Sequence, residues 1–171
     1  MLNFRLLGNI ILIALLALLQ GLIFNRITFE QAATPYIYVL FILLYSVKNN
    51  RYLFLLLSFL LGWGVDLLSD TGGIHAFASL TTAYLCLPVI RMIHSSRTFE
   101  KDEFRYAEFS VGQWFVYTLI LVLCHHFLLF FFESFSFSNM KDVLLRTLYC
   151  AAFTLIFVYF YLIVFRKRER Q

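Results

Sequence analysis

The sequence predicts an all-α membrane protein, a bundle of six transmembrane helices with both termini cytoplasmic. Three observations carry that prediction. Of 171 residues, 61% are hydrophobic and 14% charged, against roughly 45–50% and about 25% in an ordinary soluble domain. A water-soluble fold of this size cannot enclose so much apolar surface, because the buried fraction is set by surface-to-volume scaling. A soluble globular enzyme is therefore excluded. The charges also cut the chain into six apolar stretches near the roughly 17–25 residues that a helix needs to cross a hydrocarbon core. Finally, Lys and Arg gather at alternate ends of those stretches.

The first span is predicted at about 5–24, interrupted only by Asn9 and Gln20. Its basic start looks like a signal peptide, but the apolar run is longer than an h-region and no A-x-A site follows, so it is expected to remain as a helix. The second span is predicted at about 32–47. Pro35 suits its first helical turn, where a missing N–H costs nothing. Lys48, Asn49, Asn50 and Arg51 then turn the chain into a third span at about 52–69. Asp70-Thr71-Gly72-Gly73 makes the next turn, its glycines free to adopt backbone angles other residues resist. The fourth span, about 74–93, contains Pro88, which removes a backbone hydrogen bond and is expected to kink the helix. A charged loop covers 94–110, and the last spans are predicted at about 111–132 and 143–165. The whole of 1–171 reads as a single transmembrane domain.

Orientation follows from the cationic residues, which are retained on the cytoplasmic side. With the N-terminus inside, the inner ends hold Arg5, Lys48, Arg51, Arg91, Arg97, Lys101, Arg105, Arg166, Lys167, Arg168 and Arg170, eleven of the fourteen Lys and Arg. Arg26, Lys141 and Arg146 fall outside. The net charge of +4 and the pI near 9.1 thus need no nucleic acid. The cluster from Arg166 to Arg170 follows a span directly and suits anionic headgroups, making membrane lipids the first partner.

Charges inside spans are costly and point to function. Asp66 is the clearest, about 21 Å along the third helix at 1.5 Å per residue. Ser58, Gly62 and Asp66 share one face, with Gly64 close by. Small residues admit a neighbouring helix, from which the carboxylate would take a partner. Two other readings stay open for Asp66, a reach to the outer headgroups and a proton or ion relay. His75 shares a face with Ser79 and Thr82. His125 and His126 point about 100° apart on their helix and cannot chelate one metal from that face alone. One of them is expected to hydrogen-bond into the bundle or to Asp66, and the other to face an interface. Cys86, Cys124 and Cys150 fall in apolar spans and read as small buried hydrophobes.

Signatures of intramembrane catalysis do not occur in the sequence: neither a Gly-x-Ser nucleophile with a histidine partner, nor H-E-x-x-H, nor a glycine-rich phosphate loop. Its clustered acids, Glu100, Asp102 and Glu103, alternate with Lys101 and Arg105 in the loop. No catalytic residue, cofactor or metal is expected.

The stretch Leu60-Leu-Gly62-Trp-Gly-Val-Asp66-Leu-Leu-Ser-Asp-Thr-Gly72-Gly-Ile-His75-Ala76 resembles the G-x-x-x-D-x(5–6)-G-x-x-A signature of the rod shape-determining MreD family. Pro35 heading the second span, Gln20 late in the first, and six short spans with both termini inside fit the same family, so the resemblance covers essentially the whole chain. It implies a non-catalytic component of the bacterial cell-elongation machinery in the inner membrane. Such a protein binds the periplasmic protein MreC and helps couple cytoplasmic MreB filaments to peptidoglycan synthesis by a glycosyltransferase and a penicillin-binding transpeptidase. It also implies a fold similar to the substrate-binding subunits of energy-coupling-factor transporters, with Gly62, Asp66, Gly72, His75 and Pro35 as structural or partner-interface residues. The alternative reading is a small-molecule-binding subunit of a membrane transporter, suggested by polar positions at the outer ends of spans three to five.

Overall fold

The computed structural model describes residues 4–27, 34–45, 50–94, 109–135 and 137–166. These residues are helical throughout their regular parts. The helices are α1 (Phe4–Leu22), α2 (Val39–Leu44), α3 (Arg51–Ser69), α4 (Ile74–Ile93), α5 (Val111–Ser134) and α6 (Met140–Arg166), with 3-10 turns at Phe24–Arg26 and Phe137–Asn139. Five of the helical segments, all but α2, are long and apolar enough to cross a membrane. The protein is accordingly a multi-pass helical membrane protein. The helix ends agree with the sequence expectation to within three residues everywhere except the second span. The loop expected over 94–110 and the basic tail after Arg166 lie mostly outside the described residues, as do Lys48 and Asn49.

Local chemistry fixes several ends. Asn50 caps α3 by accepting from the Tyr52 N–H at 2.9 Å, which satisfies one of the amides that an N-terminus leaves open. At the start of α5 the Ser110 hydroxyl accepts from Gln113 N at 3.2 Å while the Gln113 side chain accepts from Ser110 N at 2.9 Å, a reciprocal capping box. Both α3 and α5 stop at a left-handed residue, Asp70 (φ 55°) and Phe135 (φ 41°). The fourth helix passes through Pro88 and ends at Ile93.

The long helices pack as a chain, α1 on α3, α3 on α4, α4 on α5 and α5 on α6. Small residues set the first two contacts. A Cβ on Gly64 would lie 3.1 Å from Ala17 of α1, and one on Gly21 of α1 would collide with Leu68. Gly64 therefore belongs to the α1 face of α3, while Ser58, Gly62 and Asp66 bury the opposite face against α4. Because α1 and α3 are parallel and the remaining neighbours antiparallel, the end of α1 and the α3–α4 turn share one end of the bundle. This is the turn end of the bundle. The outer faces of α1 and α6 carry aliphatic and aromatic bulk such as Ile11, Leu15, Leu18, Ile156 and Phe160, all exposed.

Over its described residues, 34–45, the second span is not a transmembrane helix, and the ends expected at 32 and 47 lie outside the described residues. Its helical part, Val39–Leu44, has six residues and reaches about 9 Å at 1.5 Å per residue, a fraction of the roughly 30 Å core. Pro35 is not in a first helical turn either; it sits four residues before α2 in a non-helical stretch. The segment still passes through the bundle. Tyr36 meets Thr154 of α6, the Ile42 carbonyl meets Cys86 of α4, and the Leu43 carbonyl meets Tyr117 of α5, each contact deeper from the turn end than the last. The crossing is broken, non-helical in its first half and a short helix in its second.

The physical reason lies in burial. Tyr36, Ile37, Tyr38, Val39, Phe41, Ile42, Leu43 and Tyr45 are all buried, four of them completely. Periodicity cannot tell a buried helix from another buried conformation when every face is apolar, and Thr34 before Pro35 is biased toward extended backbone. Irregular backbone at membrane depth is tolerated where protein surrounds it and satisfies its polar groups.

Candidate functional site

Two polar assemblies at the turn end bring the sequence candidates together. The first is the α3–α4 turn. Gly73 occupies the N-cap position of α4 and has no side chain to cap with. Asp66 does the capping from the preceding helix. Its Oδ1 accepts from the His75 N–H at 3.0 Å and the Thr71 hydroxyl at 2.5 Å, and its Oδ2 accepts from the Ala76 N–H at 2.8 Å. The carboxylate lies at the positive end of the α4 dipole, where a negative charge is stabilised, and it is 4% exposed. The turn itself needs left-handed backbone at Asp70, Gly72 (φ 64°) and Gly73 (φ 98°), which glycine adopts without strain. Gly62 lets the helices touch, since a Cβ there would lie 2.6 Å from the Ala76 Cα and against the His75 carbonyl.

The second assembly holds the broken crossing. Gln20 of α1, wholly buried, accepts from the Ile37 N–H at 2.9 Å through Oε1 and donates to the Pro35 carbonyl at 3.1 Å through Nε2. Its amide thus replaces the backbone partner that a helix would have supplied. The same Nε2 donates to Asn25 Oδ1 at 2.8 Å, and Asn25 donates to the Ser69 hydroxyl at 2.6 Å, tying α1 to the end of α3. Thr154 of α6 accepts from the Tyr36 N–H at 3.0 Å, and Cys150 accepts from the Thr34 N–H at 3.4 Å.

Tyr38 joins the two assemblies. Its phenol oxygen lies 2.9 Å from His75 Nδ1 and 2.7 Å from His125 Nε2. The partners dictate which nitrogens carry protons. Thr82 donates to the Ala78 carbonyl at 2.7 Å, so at its 3.3 Å contact with His125 Nδ1 it accepts. His125 then carries its proton on Nδ1, and its bare Nε2 accepts from the Tyr38 hydroxyl. The phenol oxygen in turn accepts from His75 Nδ1–H. Beside this chain, His126 Nδ1 faces the Val122 carbonyl at 2.7 Å and donates to it, which leaves Nε2 to accept from the Thr154 hydroxyl at 3.1 Å. These assignments rest on donor and acceptor inventory, as tautomers must.

Of the residues singled out from sequence, Gly62, Asp66, Gly72 and His75 build the α3–α4 turn, and Pro35 contributes its carbonyl to Gln20. Asp66 is partnered by amides of α4 rather than by an imidazole. His125 hydrogen-bonds into the bundle and His126 faces the α5–α6 interface, both completely buried. Sequence reasoning missed Tyr36, Tyr38, Thr154 and the bonding role of Gln20. A signal was present in Pro35-Tyr-Ile-Tyr38, where two phenols follow a proline inside an apolar run. Among the described residues no group of His, Cys, Asp and Glu is placed to hold a metal ion, and no disulfide joins the three cysteines. Compared with family models, curated proteins and solved structures, the chain matches none.

Proposed function

We propose that this protein is a non-catalytic integral component of the bacterial cell-elongation complex in the inner membrane, of the MreD type. In that role it binds an MreC-like periplasmic protein and through it helps couple MreB filaments to the glycosyltransferase and transpeptidase of peptidoglycan synthesis. The observation that supports the reading is the use made of the Gly62, Asp66 and Gly72 motif. Both oxygens of Asp66 are occupied by donors of the turn, and Gly62 is a point of helix contact. The motif is architecture, which suits a scaffold whose surface is its function.

Co-purification of the tagged chain with an MreC-like protein from its native membrane, together with loss of rod shape on depletion, is the expected result. Normal shape on depletion with no such protein retained would overturn the proposal. A second reading, a small-molecule-binding transporter subunit, is favoured by the broken crossing, because discontinuous helices frame substrate sites in transporters. A ligand at a hundredfold excess over its Kd stabilises its receptor by about 2.7 kcal/mol, so a thermal-shift screen with vitamins and lipid intermediates separates the two.

A further inference from the structure

We propose that His75, Tyr38 and His125 form a proton relay that carries one proton from the turn end to a storage site inside the bundle. The inference rests on direction. As assigned above, His75 Nδ1–H donates to Tyr38, and Tyr38 O–H donates to His125 Nε2. The remaining nitrogen of His75, Nε2, has no hydrogen-bond partner among the described residues. It is a free acceptor in the first turn of α4, on a residue 4% exposed. His125, at the far end of the chain, is completely buried.

A proton that binds His75 Nε2 can be passed inward without moving a heavy atom. As His75 takes it up, the Nδ1–H bond breaks and that proton joins the phenol oxygen, while the phenol proton leaves for His125 Nε2. One proton has entered, His75 is again neutral with its hydrogen on Nε2, and His125 is an imidazolium. Every contact survives with its polarity reversed: His125 Nε2–H donates to Tyr38, and Tyr38 O–H donates to His75 Nδ1, at the same 2.7 and 2.9 Å. His125 Nδ1–H keeps its Thr82 acceptor. The relay stops there, because Thr82 donates to the Ala78 carbonyl and a carbonyl has no proton to pass on. The arrangement stores a proton and does not conduct one across the membrane.

The ionisable surroundings are few. Tyr36 and Tyr38 face the histidines from the broken crossing, Asp66 from α3 through the His75 amide, and His126 from α5, while Cys150 and Arg146 of α6 and Glu133 of α5 act on Tyr36 from further out. Asp66 is the nearest anion of this group. Since Tyr38 belongs to the crossing itself, the stored charge acts on the segment that Gln20 and Thr154 hold in place.

The test is nitrogen-15 NMR of the full chain, histidine-labelled in lipid nanodiscs, with signals assigned by replacing each histidine singly with Gln. At neutral pH the relay requires Nδ1–H on both His75 and His125. On acidification His125 becomes doubly protonated while His75 exchanges Nδ1–H for Nε2–H. In Tyr38→Phe the path is cut, and the proton stays on His75. A His125 that remains singly protonated at every pH where the protein is folded would overturn the relay, as would a Tyr38→Phe variant that titrates like the parent. Should Tyr38→Phe not fold, the tautomer exchange of His75 in the parent protein decides alone.

Discussion

The α3–α4 turn and the broken crossing at 34–45 meet the same requirement by opposite means. In a medium without water, every backbone polar group needs a partner in the protein. The turn meets this with intact helices and one carboxylate, and its bonds are local: Asp66 binds residues five, nine and ten positions away. The crossing gives up its helix, and its amides are served by Gln20 at seventeen residues' separation and Thr154 at 118. Local satisfaction depends on one hairpin. Distant satisfaction depends on α1, α4, α5 and α6 being in place together, so the crossing is the part of the fold expected to open first.

The sharpest way to break this contrast is Gln20→Leu, which removes the partner of the Ile37 N–H and of the Pro35 carbonyl in a wholly buried place. At roughly 1–3 kcal/mol for each orphaned group, the expected loss is about 2–6 kcal/mol. Amide hydrogen exchange at Ile37 and Val39 should accelerate far more than exchange within α3 and α4. Uniform acceleration would show that the crossing is not an independent weak point.

Gly62→Ala attacks the other side of the comparison. The added Cβ meets backbone of His75 and Ala76, which cannot rotate away as a side chain would, and overpacking of this kind costs typically about 1–3 kcal/mol. Lowered thermal stability in detergent with α3 and α4 still helical is expected, and an unchanged midpoint would mean that the helices separate freely. Asp66→Asn is milder. It keeps one acceptor oxygen and presents an N–H₂ toward an amide donor, so it forfeits part of the cap, about 0.5–2 kcal/mol. The loss should be confined to exchange at His75 and Ala76.

This contrast also explains what was legible in the sequence. The α3–α4 turn could be read because its determinants are contiguous: four-residue spacing put Ser58, Gly62 and Asp66 on one face, and Gly72 and Gly73 marked the bend. The helical spans could be read for the same reason, since length and charge define them locally. Helix α2 could not. Residues 36–45 are apolar enough for a helix, and nothing within them announces that Gln20, Thr154 and Cys150 would serve the backbone instead. The two phenols after Pro35 mark the stretch, but the role of Tyr38 does not follow from them, because a tyrosine in an apolar span looks like bulk until two histidines from other helices arrive on its oxygen.

The smallest effect is expected furthest from either region. Ile156, Phe160 and Ile163 stand at helical spacing on α6 and are 63%, 68% and 72% exposed. In a membrane such a face gains little from burial, because lipid chains are as apolar as the side chains themselves. Phe160→Leu should therefore change stability within about 0.5 kcal/mol, the range of substitutions away from packed features. That neutrality makes the variant informative in cells. If Phe160→Leu leaves thermal stability untouched yet weakens retention of a partner protein, the α6 face is covered by protein and not by lipid. If both stability and retention are unchanged, α6 faces the bilayer and a partner must dock elsewhere. A large stability loss would contradict the exposure of this face and place α6 inside a tighter assembly than the chain forms alone.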